Sequence, residues 1–335
     1  MNFRMWIKAL KVIPRISKEE WQTLDVISRW LIATRAAVLI MTFISAAIAG
    51  LLTFIRTGQV DIIRWLLLAV GLVLAHATNN LLNDWTDHRK GVDKDNYFRT
   101  QYGPQPLEAG LMTERELLTY AAITGSLALA SGIALTVMTG WVTLALLATG
   151  AFFVLFYTWP LKYIGLGEVA VILVWGPLMI GGGYYTLTGV WDWNVVIASL
   201  PYALGVTTVI FGKHIDKLPE DKAKGIHTLP VLLGETASRY AVFGMISLEY
   251  LAVIYLVIIG FFSPVMLVVL LGLRSLPRVI QVFSKPKPAE APEWFAKDTW
   301  PLYFVAAAFY QNRSYGLAFL LGLILEAVVK TLGWF

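Results

Sequence analysis

The sequence predicts an all-α, polytopic membrane protein: a bundle of about nine transmembrane helices with its N-terminus on the cytoplasmic side. Three observations carry that prediction. Hydrophobic residues fill 57% of the 335 positions and charged residues only 15%, against about 45–50% and about 25% in ordinary soluble domains. The apolar residues gather in runs near the roughly 20 residues that a spanning helix needs. Of the 27 Lys and Arg, 23 fall in the segments that lie inside when the N-terminus is inside, which is the bias that sets membrane topology. The absence of cysteine excludes a disulfide scaffold, a thiolate metal site and a cysteine nucleophile.

Residues 1–27 form the first element. They are basic and partly amphipathic, contain Met5, Trp6, Ile7 and Trp21, and are expected as an interfacial helix pair broken at Pro14. The run Met5–Ile13 is short and carries Lys8 and Lys11, unlike a secretory signal. Residues 28–335 are expected as one transmembrane helical domain. Its spans are predicted at Arg29–Ile55, Ile62–Leu82, Leu117–Thr139, Trp141–Thr158, Gly167–Gly189, Val195–Phe211, Tyr240–Phe262, Pro264–Leu273 and Ser314–Leu332. The eighth reaches full length only by continuing through Arg274–Phe283. Trp141, Trp191, Trp193 and Trp334 fall near predicted outer ends, and Trp30, Trp159 and Trp300 near inner ends, as aromatic belts do. No segment has the ten-residue alternation of an outer-membrane barrel. The net charge of +5 therefore reports topology, not a nucleic-acid partner. The expected location is the inner (cytoplasmic) cell membrane, multi-pass, among membrane lipid.

The acids are the informative part, because charge beside a bilayer is costly without a function. Half of the 22 lie in two predicted inner loops, Asn83–Glu116 and Lys213–Glu235. In the first, Asn80, Asp84 and Asp87 sit at i, i+4 and i+7, which stacks them on one helix face. Two carboxylates and an amide oxygen suit a hard cation such as Mg²⁺, which is held by one or two carboxylates plus substrate phosphates. Asp93 follows Gly91 and can fold back toward the same place. In the second, Asp216, Glu220 and Asp221 crowd together around Pro219, which leaves open which acids share a face. Each cluster alone also fits a solvated loop. Together, with their interspersed Lys and Arg, they suit a diphosphate bridged by Mg²⁺.

The stretch Asn80–Asp93, with its Asn-x-x-x-Asp-x-x-Asp pattern, and the stretch Asp216–Leu229, with Asp221, Gly225 and Thr228, resemble the two aspartate-rich motifs of the UbiA superfamily of intramembrane prenyltransferases. Tyr157-Thr158-Trp159-Pro160-Leu161-Lys162 and Gly165-Leu166-Gly167-Glu168 resemble a third family stretch. Gly91-Val92-Asp93 and Gly181-Gly182-Gly183-Tyr184-Tyr185 are similar to the 1,4-dihydroxy-2-naphthoate prenyltransferase branch of menaquinone synthesis. Two departures stand out: Lys217 occupies the place of the second motif's first acid, with Asp216 one residue early. Lys213-His214 replaces a pair that is often Asn in that branch.

The resemblance implies a nine-helix bundle and Mg²⁺-dependent transfer of an isoprenoid from a prenyl diphosphate to a small aromatic acceptor. It implies Asp84, Asp87, Asp216 and Asp221 as catalytic residues and metal ligands, with Asn80 as a further ligand. Lys162, Arg99, Lys213 and the intramembrane Arg35 are the expected diphosphate contacts, and Asp93, Tyr157, His214 and Glu220 are candidate substrate contacts. Glu168 is expected to cap the fifth span, and Glu326 to pair with Lys330 four residues on. Two other functions remain open at this point: a terpene cyclase of the same superfamily, and an ion-coupled transporter using the acids as an ion path. Acceptor, prenyl length and oligomeric state are open as well.

Overall fold

The computed structural model describes residues 1–92, 103–296 and 299–334, and among these it has fourteen helices besides the short 3-10 turn Leu161–Tyr163. In chain order they are α1 (Phe3–Lys11), α2 (Lys18–Thr23), α3 (Val26–Ala33), α4 (Ala36–Thr57), α5 (Ile62–Arg89), α6 (Glu114–Thr139) and α7 (Trp141–Phe156). Then follow α8 (Gly167–Thr188), α9 (Trp193–Asp216), α10 (Leu218–Ala223), α11 (Leu229–Leu233), α12 (Glu235–Ile258), α13 (Pro264–Phe283) and α14 (Tyr303–Thr331). There is no strand among the described residues, only an isolated bridge between Ile164 and His227. Eight of the helices are long and apolar enough to cross a membrane. Helix α7 is shorter, at 16 residues. The predicted Pro264–Leu273 segment does continue to Phe283, because Pro264 opens it at N1 and Pro277 falls early in its second half, where neither ring removes a needed N–H.

The helices fall into two compact units: Met1–Ile44 with Leu66–Pro160, and Ser45–Trp65 with Leu161–Phe335. The core of the first unit gathers Met5, Ala9, Trp21, Leu31, Ile32, Ala77, Leu81 and Leu117, so the N-terminal helices are packed elements of it. Asp25 ties them down. Its carboxylate accepts the Asn2 N–H at 2.7 Å, Trp6 Nε1 at 3.1 Å, and the Ser28 N–H and hydroxyl at 3.0 and 2.9 Å. Desolvation opposes ionisation, but these donors outweigh it and hold the Asp25 carboxyl well below the usual carboxylate range.

The predicted first span is not continuous. It breaks at Arg35, whose φ of 56° is the one left-handed non-glycine conformation among the described residues. Helix α5 approaches α6 closely where Gly71 faces Ser131 and Gly125 faces Thr78, the small-residue contact that lets membrane helices associate. Ile123, Leu127, Val137, Leu144, Phe152 and Leu155 of α6 and α7 are exposed, as lipid-facing side chains are.

The second unit is built around α9, which packs against α8, α12 and α14 and is buried along most of its length. At Gly212 a Cβ would come within 2.9 Å of the Phe304 backbone, so only glycine allows α14 this close. Midway in α8 the turn widens to a π-helix over Val174–Gly181, with Pro177 inside it. Some buried polar groups pair between helices of this unit. Gln311 Nε2 donates to Glu249 at 2.8 Å, and Tyr315 donates to the Glu249 carbonyl at 3.1 Å. Glu326 does not spend its carboxylate on Lys330 as expected. It accepts the Ser263 N–H at 2.9 Å and the Ser263 hydroxyl, and so caps the N-terminus of α13.

Candidate active site

In the first unit, α5 runs helically through Asn80, Asp84 and Asp87 to Arg89, so the i, i+4, i+7 spacing does place the three on one face. All three are buried. Asn80 Nδ2 donates to the Thr34 carbonyl at 2.8 Å, an acceptor beside the break at Arg35. From that break the Arg35 guanidinium reaches Asp84, with which it forms an ion pair, and Asn83 Oδ1 at 3.3 Å. Asn83 in turn donates to Asp87 at 3.3 Å and to Thr158 at 3.2 Å. The result is a continuous polar seam that joins Arg35, the Asn80/Asp84/Asp87 face and the Thr158 end of the third family stretch. Tyr157 caps α7, its N–H on the Phe153 carbonyl at 3.0 Å, with a half-buried side chain. Asp93 and Arg99 lie outside the described residues.

In the second unit the last turn of α9 carries Lys213, His214 and Asp216, and α10 carries Glu220 and Asp221. Asp216 departs from its expected role. One oxygen accepts the Tyr303 and Phe304 N–H groups at 3.2 and 3.1 Å, and the other the Val305 N–H at 3.0 Å. The Lys287 ammonium lies 3.1 Å from the carboxylate. The carboxylate thus caps the N-terminus of α14, which is why that helix begins at Tyr303 rather than at the predicted Ser314. Both oxygens are thus engaged by the head of α14 and by Lys287, whereas the expected role as metal ligand and catalytic residue needs a free lone pair.

Asp221 is placed differently. It is 1% exposed; Lys217 lies 3.1 Å from one oxygen, and the other, Oδ2, is buried with no hydrogen-bond partner. Glu220 is half-buried and its Oε2 is also without a partner. Lys162 is buried in the short turn Leu161–Tyr163, and Lys213 is half-buried. Among the described residues no three His, Asp or Glu side chains gather into a ready-made metal cage. The donor set nevertheless fits Mg²⁺. In the first unit the carboxylates and amide of one α5 face are the small protein share that this ion takes beside phosphates and water; in the second unit Asp221 offers a buried oxygen with no hydrogen-bond partner.

Sequence reasoning missed one arrangement. Glu168, expected only as a helix cap, meets His214 with Oε1 2.5 Å from Nδ1, and its Oε2 accepts the Leu229 N–H at 3.2 Å. Two ionisable residues at the ends of apolar helices were the available signal; their pairing across 46 positions was not.

Known proteins resemble this chain in sequence and fold. A 1,4-dihydroxy-2-naphthoate octaprenyltransferase of Bacillus subtilis is 22% identical over 299 residues, covering 88% of this chain and 91% of that protein. A digeranylgeranylglyceryl phosphate synthase of Natronomonas pharaonis is 27% identical over 278 residues, covering 82% and 91%. The solved structure of a UbiA homolog from Archaeoglobus fulgidus, bound to DMAPP and Mg²⁺, has the same fold with a TM-score of 0.54 at 16% identity, covering 87% of this chain and 98% of that one. The profile of the UbiA prenyltransferase family matches residues 38–325, so the chain, with its apolar helices and its buried aspartate face on α5, belongs to that family of membrane prenyltransferases.

Proposed function

We propose that this enzyme transfers an isoprenoid chain from a prenyl diphosphate to a small aromatic acceptor of the 1,4-dihydroxy-2-naphthoate type, inside the membrane and with Mg²⁺. The observation that carries the reading is the buried α5 face of Asn80, Asp84 and Asp87 with Arg35 beside it. It offers metal ligands and a fixed cation together, the combination that a leaving diphosphate requires. The naphthoate relatives support the acceptor class.

The proposed Mg²⁺ ligands are Asn80, Asp84 and Asp87 in the first motif and Asp221 in the second. Bound there, Mg²⁺ supplies Lewis-acid stabilisation of the charge that grows on the diphosphate. Arg35, Lys162, Lys213 and Arg99 neutralise phosphate oxygens directly, Arg35 and Arg99 with forked donors and the lysines as point charges. Tyr157, Glu220 and Asp93 complete the proposed substrate contacts. The apolar helix walls keep water from the allylic carbon and give the prenyl tail a lipid-like path. The basic bias of the loops supports a site toward the cytoplasmic face of the inner membrane. The segment 1–27 then lies at that surface, with Phe3, Ile7 and Leu10 of α1 exposed toward lipid.

The test is mass spectrometry of products made by purified protein from Mg²⁺, mixed prenyl diphosphates and a panel of aromatic acids. A prenylated aromatic product formed with matching diphosphate release is the expected result. A cyclic hydrocarbon formed without acceptor would instead mark a cyclase, and ion flux in proteoliposomes without diphosphate chemistry a transporter. Unchanged turnover in Asp84→Ala or Asp221→Ala refutes the site.

A further inference from the structure

The Glu168–His214 pair is not used by the chemistry above, yet it is costly to keep. Both residues are almost fully buried, at 1% and 3% exposure, in a chain with little charge to spare. The pair is also held rigidly. Glu168 opens α8, His214 lies in the last turn of α9, and the second carboxylate oxygen is fixed by the Leu229 N–H at the head of α11. The carboxylate lies 2.5 Å from Nδ1; an ionised carboxylate only accepts, so Nδ1 holds the proton, and in the neutral imidazole this leaves a lone pair on Nε2. That Nε2 makes no hydrogen bond among the described residues. Next in the chain to the bonded amide, the Thr228 hydroxyl is buried and also without a partner. A base, a group that orients it, and an open lone pair are the parts of a proton-accepting site.

We propose that His214, oriented by Glu168, accepts a hydrogen bond from the hydroxyl group of the aromatic acceptor and takes its proton as the ring attacks, with Thr228 as a second polar contact to the acceptor. This rests on the prenyl-transfer reading above and adds what selects a hydroxylated acceptor. As the allylic C–O bond breaks, its electron pair leaves on the diphosphate oxygen. A ring-carbon pair forms the new bond to the allylic carbon, while the hydroxyl proton passes to Nε2. The products of the step are a neutral prenylated dienone and an imidazolium facing Glu168. The dienone regains aromaticity by losing the substituent on the attacked carbon, as H⁺ to water or as CO₂ from a carboxylate. The imidazolium returns its proton to the oxygen. Glu168 acts through His214 and is a positioning residue.

The experiment measures prenylated acceptor and released diphosphate in the same reaction, for the wild type, His214→Gln, Glu168→Gln and Thr228→Val. For the wild type a ratio near one is expected. In His214→Gln the ratio should fall about tenfold or more as water captures the allylic cation. The fall should shrink with acceptors whose hydroxyl is more acidic, because these need less help in losing the proton; a purely packing role would not produce that trend. Glu168→Gln should show the same trend more weakly. A ratio unchanged in His214→Gln, or release and transfer lost in parallel in both His214→Gln and Glu168→Gln, overturns the proposal. If the wild type itself prenylates no aromatic acceptor, the transfer reading has failed instead.

Discussion

Replacing Asp216 by alanine separates two roles that its place in the second motif confuses. The carboxylate is buried, accepts three backbone N–H groups at 3.0–3.2 Å, and faces Lys287 at 3.1 Å. Alanine leaves the first turn of α14 uncapped and the Lys287 charge unmatched. Breaking a buried ion pair by removing one partner costs roughly 3–5 kcal/mol. For a chain of this size about 2 °C of melting temperature accompanies each kcal/mol, so a drop of roughly 6–10 °C is expected. The assay is thermal unfolding of the purified protein in detergent by tryptophan fluorescence, with Mg²⁺ affinity for the diphosphate-loaded protein measured by calorimetry below the transition. The melting temperature should fall while the Mg²⁺ affinity stays within about twofold, an energy difference of under half a kcal/mol. A variant that melts with the wild type but loses Mg²⁺ affinity would show that Asp216 ligates the metal and that the capping argument is wrong.

Other perturbations give distinct outcomes. Lys217→Gln removes the ammonium 3.1 Å from Asp221, and so should tighten Mg²⁺ binding several-fold by calorimetry, since a competing cation is gone; weaker binding would count against Asp221 as a ligand. Arg35→Gly and Arg35→Ala both lose the ion pair to Asp84, but only glycine relaxes the φ of 56°. Arg35→Gly should therefore melt above Arg35→Ala by about 2 °C, from a left-handed penalty of about 1 kcal/mol. Glu326→Gln weakens the cap on Ser263 at the start of α13 and should lower stability by about 1–3 kcal/mol, as loss of a charged hydrogen-bond acceptor does. Asp25 gives a pH dependence. Its folded pKa is depressed below 3.8, so the stability it contributes is full above that value and fades as pH falls through the folded pKa. Below about pH 4 the hold on α1 should weaken progressively, read as a gradual change in Trp6 emission toward that of Asp25→Asn at neutral pH.

Much of the fold was legible because lipid imposes a simple rule. Backbone groups must be satisfied within a helix, so every apolar run of sufficient length announces one. The predicted runs and the observed helices agree from α4 to α13 to within a few residues at most ends. The exceptions have local causes. The first span looked continuous because Thr34 and Arg35 are not helix breakers by type. Its break shows only in the backbone, where Arg35 turns left-handed and Asn80 reaches the Thr34 carbonyl. Helix α14 starts eleven residues before the predicted Ser314, because a capping group from a residue 87 positions away is invisible to any window of sequence.

The candidate site divides on the same physical line. The first motif was readable because all its members lie on one uninterrupted helix, where spacing alone fixes the face. The second was not, because Asp216 and Lys217 straddle the end of α9 just before α10 begins. One residue of register on a helix turns a side chain by about 100°. Lys217, in the family's acid position, therefore points to Asp221, while Asp216 turns away to the backbone of α14. A motif read as a string of residue types counts Asp216 as a displaced acid. Read as a helix face, the same residues put a cation beside Asp221 where an acid would stand. The metal affinity of the second motif then rests on how readily Lys217 yields its carboxylate, and that is the quantity the Lys217→Gln measurement reads.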